Sequence, residues 1–237
     1  MNDLPIPWHL LPGPLLLIDL ETTGVRAPSD RIVELAAVRH APGEPSRVLH
    51  TLVDHGGPVV GASRIHGINR PMLDGAPTID TVLPMLETLS QGATMVAHNA
   101  SFEHRFLSAA MHRFGGAWGL PRLCTLALAR RLHPEQRRRA RGHGLGKMAK
   151  LYEIPVVAAH TALGDVRMMS VLLGQMLRRF ADHPHLTKWI DESTRTSSMD
   201  SIWPPAQPLA RLKPRWASVP APQRSTPTEP KTAAGSA

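Results

Sequence analysis

The sequence predicts an α/β fold in which a mixed sheet is flanked by helices and followed by a long tail that has no core of its own. Three observations carry this. Three short strand-like runs lie close together near the start, strand and helix patterns then alternate, and apolar periodicity fades beyond Phe180. A meander followed by alternating strand and helix packs most simply as one sheet covered by helices.

The strand-like runs are 15–20 (LLLIDL), 31–39 (RIVELAAVR) and 47–53 (RVLHTLV), separated by Pro, Gly and Ser punctuation. Their short connections favour antiparallel neighbours, because a parallel crossover takes a dozen or more residues. Residues 78–90 (TIDTVLPMLETLS) place Ile79, Val82, Leu83, Leu86 and Leu89 at helical spacing despite Pro84. The run 93–97 (ATMVA) reads as a buried strand feeding a helix near 100–113. Further helices are expected at 125–132 and 145–152, with a long one at 161–180. From Pro204 onward eight prolines and little apolar patterning predict a disordered tail. The expected division is an N-terminal extension over 1–12, a folded domain over 13–181 and a basic, Pro-rich tail over 182–237.

The N-terminus, MNDLPIPWHL, has no basic region followed by an apolar one, and no apolar run approaches a membrane span. With a single cysteine, Cys124, no internal disulfide can form, and a cytoplasmic setting without membrane contact is expected. Of the formal charge of +8, residues 130–141 (RRLHPEQRRRAR) carry +5 and residues 204–237 carry +4, which leaves −1 for the rest. A nearly neutral body with one basic loop and one basic tail points to a polyanionic partner.

The stretch LLLIDLETTG, residues 15–24, raises the functional question. Asp19 and Glu21 are two apart and so project from one face of a strand. Like charges side by side in a desolvated strand repel, and a divalent cation with carboxylate ligands resolves the conflict. The other reading ends the strand at Leu20 and lets Glu21 enter a solvated turn with Thr22, Thr23 and Gly24.

Two later segments add acids. In AHNASFEHRFL, residues 97–107, Asn99 or Ser101 can cap a helix whose first turn carries Glu103, a position the helix dipole favours for any carboxylate. In residues 160–177, Met168, Met169, Leu172 and Met176 form an apolar stripe that Asp165 continues, with His160 just upstream. A cap and salt-bridge arrangement would account for His160 and Asp165 taken alone. Four carboxylates and a histidine together suit a two-metal phosphoryl hydrolase, in which ions about 3.5–4 Å apart act on the attacking and leaving oxygens and the histidine takes a proton.

DLETTG at 19–24, HNASFE at 98–103 and HTALGD at 160–165 resemble, in order and spacing, the three motifs of the DEDD 3′–5′ exonucleases of the histidine subtype. The likeness is to the proofreading epsilon-subunit-like members of bacterial DNA polymerase III, and RIHGI at 64–68 and CTLALAR at 124–130 are similar to stretches those proteins carry between motifs. The resemblance covers residues 13–180. It implies an RNase H-like mixed five-stranded sheet flanked by helices, two Mg²⁺ or Mn²⁺ ions, and hydrolysis from a 3′ end. It assigns Asp19, Glu21, Glu103 and Asp165 as metal ligands and His160 as the base. It also places Thr22, Thr23 and His66 near the terminal nucleotide, with Asn99 supporting the second motif. One position departs from the usual pattern: the second motif more often ends in Asp, and here Glu103 carries the carboxylate one methylene farther out.

The expected substrates are single-stranded or frayed nucleic-acid 3′ ends, DNA in proofreading or repair, with RNA 3′-end trimming as the variant in the same class. With one tyrosine and four phenylalanines there is little to stack bases on, so affinity should rest on phosphates and be salt-sensitive. A reading from another class is a weakly active module that docks on a DNA polymerase or sliding clamp through 193–203 (STRTSSMDSIW), where Met199, Ile202 and Trp203 stand in polar surroundings.

Overall fold

The computed structural model describes residues 6–11, 13–59, 62–138, 142–156 and 160–195. Three strands, β1 (Leu15–Thr22), β2 (Ile32–His40) and β3 (Arg47–Leu52), form the antiparallel meander that the short connections predicted. Two single-turn helices follow, α1 (Ser63–His66) and α2 (Arg70–Leu73), and then α3 (Ile79–Ser90), which runs through Pro84. Strand β4 (Thr94–Ala97) lies parallel to β1 and leads into α4 (Ala100–Arg113). Strand β5 (Arg122–Cys124) lies parallel to β4 and leads into α5 (Thr125–Leu132). Helices α6 (Leu145–Leu151), α7 (Ala162–Arg179) and α8 (Leu186–Ser193) complete the chain, with a two-residue β6 (Thr194–Arg195) antiparallel to β5.

The sheet order is β3-β2-β1-β4-β5-β6. Five strands make its mixed body, RNase H-like in arrangement, and β6 adds a short edge. Strand β1 sits at the centre and is apolar on both sides. Leu15 and Leu17 join Ala36, Val38, Val96 and the apolar faces of α5 to α8 in one core. Leu16, Ile18 and Leu20 join Leu35, Ala37, Met95 and the buried sides of α3 and α4 in the other. Coverage of both faces explains why LLLIDL reads as a continuous apolar run rather than an alternating one.

Three expectations need correction. The folded part does not stop at 181: α8 lies beyond that boundary and buries Leu186 and Ile190 in the first core. Leu186, Trp189 and Ile190 stand at helical spacing, but over barely one turn, so it is their packing on the first core that establishes this helix. Neither Asn99 nor Ser101 caps α4 through its side chain. Asn99 is the cap residue, but in a left-handed conformation (φ 95°, ψ 51°), and it is its carbonyl that accepts Phe102 N–H at 2.7 Å. The basic run is not one loop: Arg130 and Arg131 belong to the last turn of α5, and Arg131 pairs with Glu192 of α8 at 2.7 Å. Residues 139–141 and all residues from 196 on, which take in most of the 193–203 segment and the Pro-rich stretch from 204, lie outside the described residues. No described helix is long and apolar enough to cross a membrane.

Candidate active site

Strand β1 continues through Glu21, which decides against a strand ending at Leu20. Its alternation then does the rest: Leu15, Leu17, Asp19 and Glu21 share the face on which α7 packs, so the stripe that seals the core ends in two carboxylates. Across the pair, Asp19 is opposite Ala36, a side chain too small to cover it, and Glu21 is opposite Glu34. Pairing between β1 and β4 stops at Leu17↔Val96, and beyond that point α4 begins, three residues ahead of Glu103.

The turn after β1 is built for close approach. A register shift follows Glu21, after which Thr22 is opposite Ile32. Thr22 Oγ1 donates to the Gly24 carbonyl at 2.6 Å, and Arg31 N–H donates to Thr23 Oγ1 at 3.0 Å. The Asp30 carboxylate accepts Arg26 N–H at 2.7 Å, and a Cβ on Gly24 would come within 2.5 Å of it, so a side chain there would have to displace that carboxylate. Both threonines expected near the terminal nucleotide therefore use their hydroxyls to shape this turn.

Helix α7 delivers Asp165. Thr161 caps it, its side chain accepting Gly164 N–H at 3.2 Å and its carbonyl accepting Asp165 N–H at 3.0 Å, which sets the first turn and Asp165 with it. Each of Asp19, Glu21 and Asp165 brings an oxygen within 4.8 Å of the other two. Glu103 stands outside that trio but is the strongest charged neighbour of Asp19. It is only 4% exposed, and its Oε2 is buried without a hydrogen-bond partner.

The electrostatics follow from this crowding. Burial, then repulsion from Glu103, Asp165, Glu21 and Glu34, lifts the Asp19 carboxyl well above the usual range. Burial with Asp165 and Glu34 pushes Glu21 up to about 8. Burial pushes Glu103 up to about 8 as well. Asp165 rises through burial and is held back by the nearby His160, through both its charge and its backbone N–H. A cluster of mutually repelling oxygens with one orphaned buried oxygen beside it fits hard divalent cations such as Mg²⁺ or Mn²⁺.

His160 is exposed, in a left-handed conformation (φ 62°), on the solvent side of Asp165. His66 is half-buried on α1, its Nδ1 accepting Ile68 N–H at 3.0 Å, and the backbone of Thr22 lies beside its ring. Asn99 is exposed at the mouth of α4. Two residues escaped the sequence reading. Glu34, 5% exposed, faces Glu21 from β2; a glutamate inside the apolar run RIVELAAV was the same signal that singled out Asp19. His98 at the end of β4 donates from Nε2 to the His143 carbonyl at 2.8 Å and meets Thr125 Oγ1 at 3.0 Å, and burial pushes it down to about 4.

An acidic cage at the end of a central strand, on an RNase H-like sheet, is the arrangement the resemblance to the exonucleases led one to expect. The exonuclease family represented by RNase T matches residues 16–173, and the chain belongs to that family. Among curated relatives, a protein of Mycobacterium tuberculosis (strain CDC 1551 / Oshkosh) named as a bifunctional exonuclease/endonuclease is 37% identical over 69% of this chain and 26% of its own length. The PolC-type DNA polymerase III of Halalkalibacterium halodurans is 33% identical over 75% of this chain and 12% of its own. The chain thus spans only a small part of these relatives. Among solved structures, exonuclease X in complex with 5′ overhanging duplex DNA superposes with a TM-score of 0.58 at 27% identity, covering 76% of this chain and 99% of that one. E. coli exonuclease I with a dT13 oligonucleotide shares the fold (TM-score 0.61, 18% identity, 72% of this chain and 42% of that one).

Proposed function

We propose that this chain is a metal-dependent 3′–5′ exonuclease that hydrolyses phosphodiester bonds at nucleic-acid 3′ ends, DNA in proofreading or repair. The observation that carries the reading is the convergence of Asp19 and Glu21 from β1 with Asp165 from α7 within 4.8 Å. The PolC-type relatives and the DNA-bound exonuclease X support DNA as substrate. Asp19, Glu21, Glu103 and Asp165 would hold two Mg²⁺ or Mn²⁺ ions, which would supply a more acidic water and charge neutralisation at the attacked phosphate.

The chain's own residues do the positioning. Strand β1 fixes Asp19 and Glu21 in one plane, the capped first turn of α7 fixes Asp165, and the buried Glu103 closes the inner wall. His160, exposed beside Asp165, takes the proton of the attacking water. Thr22, Thr23, His66 and Asn99 are the residues assigned to the terminal nucleotide. Partners are single-stranded or frayed 3′ ends, with a DNA polymerase as the assembly partner.

Digestion of one oligonucleotide labelled at its 3′ end and another at its 5′ end, with and without Mn²⁺, tests this. The 3′ label should leave first as a mononucleotide and the 5′-labelled strand should shorten stepwise, only with the ion. Asp19→Ala and Asp165→Ala should each cut the rate by at least about 10²–10³-fold, the scale of losing one preorganised electrostatic group, with the circular dichroism spectrum unchanged. Wild-type rates in both variants would remove the metal assignment.

A further inference from the structure

Both oxygens of Glu34, beside the cage, accept N–H donors. Oε1 meets Nε2 of His50, from β3, at 2.7 Å, and because a carboxylate oxygen accepts, the ring nitrogen donates. Oε2 accepts the backbone N–H of Ala162 at 3.1 Å. Ala162 opens α7, so this N–H is one of the four at a helix start that have no partner within the helix. The contact is buried and spans 128 positions of sequence.

These bonds set Glu34 apart from the acids around it. Its charge acts on Asp19, Glu21 and Asp165, yet each of its oxygens is already directed to an N–H, whereas Glu103 keeps a buried oxygen with no partner. Ala162 lies between His160 and Asp165, and Thr161, beside it, caps the same turn. Strand β2 pairs with β1 across Glu21↔Glu34 and with β3 across Ala36↔His50, so one carboxylate connects both strands to the start of the helix.

We propose that Glu34 is a positioning residue: held by His50, it clamps the N-terminus of α7 onto β2 and so sets Asp165 and His160 at their working distance from Asp19 and Glu21. The proposal rests on the nuclease reading for its effect on turnover, but not for its effect on α7. Glutamine is the informative substitution, because it keeps the shape but removes the charge that strengthens both bonds, and its amide N–H fits only if the His50 ring changes tautomer to accept it. Glu34→Ala removes the clamp, and His50→Gln keeps a donor that His50→Ala lacks.

Hydrogen exchange measured on the full chain by mass spectrometry reads the clamp directly. Peptides covering 160–168 should exchange at least about tenfold faster in Glu34→Gln and in His50→Ala than in the wild type, with His50→Gln recovering most of the protection. Mn²⁺ titrated calorimetrically should bind about 10- to 100-fold more weakly in Glu34→Gln, the usual effect of losing a group that orients a ligand. In cleavage assays kcat should fall at saturating Mn²⁺ while KM for the oligonucleotide stays unchanged. Wild-type exchange over 160–168 together with unchanged Mn²⁺ affinity in Glu34→Gln and His50→Ala would overturn the proposal. If the wild-type chain cleaves nothing, the nuclease reading fails alone, since exchange and Mn²⁺ binding still report on the clamp.

Discussion

At the scale of single residues, the cage is a set of carboxyls whose ionisation is opposed by burial and by one another. Glu21 and Glu103 sit near 8 against an ordinary value of 4.5, so between about pH 4.5 and about pH 8 the metal-free folded chain holds protons that the unfolded chain has released. Stability contributed by these groups is complete below that window and is lost as pH rises through it. A divalent ion binds the ionised carboxylates and displaces those protons, so the rise in Tm on adding Mn²⁺ should be larger at about pH 8 than at about pH 5. Thermal melts across that range, with EDTA or with Mn²⁺, check the sign; a metal-free Tm that climbs with pH would contradict it. Glu103→Asp tests the departure from the usual motif. Removing a methylene from a site only 4% exposed should cost about 1 kcal/mol in a urea melt. A rise in kcat would show that the longer arm holds its oxygen too far in.

At the scale of elements, a buried chain of hydrogen bonds ties the second motif to the segment after α5. His98 reaches His143 through the latter's carbonyl, His143 Nε2 donates to the His133 carbonyl at 2.8 Å, and His133 meets Tyr152 Oη at 2.7 Å and Glu135 at 3.0 Å. Since the Glu135 carboxylate accepts from His133 Nδ1, Nε2 is left to accept the Tyr152 proton, in keeping with a phenol that burial pushes up to about 12. Tyr152→Phe should therefore lower stability by about 1 kcal/mol, read by chemical denaturation, with cleavage rates unchanged because the residue stands apart from the cage. Helix α7 carries the opposite dependence. Losing its cap in Thr161→Ala should cost about 1 kcal/mol and also slow turnover, because the same turn presents Asp165.

At the scale of the whole molecule, the described domain combines two cores with a site at the end of its central strand, and the sequence concentrates its positive charge at 130–141 and 204–237. Binding of a fluorescent single-stranded oligonucleotide, followed by anisotropy in EDTA, should weaken steeply with salt, each phosphate contact adding about 0.7 to the log–log slope. A flat dependence would mean that the arginines do not touch the backbone.

Local patterning alone determined the strand that carries Asp19 and Glu21, the helix stripe that Asp165 continues and the first-turn place of Glu103, because periods of two and of three to four residues are written in consecutive side chains. The three-strand meander was legible for the same reason, its short connections permitting little else. Only the tertiary structure decided what depends on pairing between distant segments: that α8 and β6 belong to the fold, that Glu103 borders the trio instead of joining it, and that Glu34 faces Glu21 with both oxygens occupied. Register and burial set those outcomes, and neither is visible until strands and helices meet.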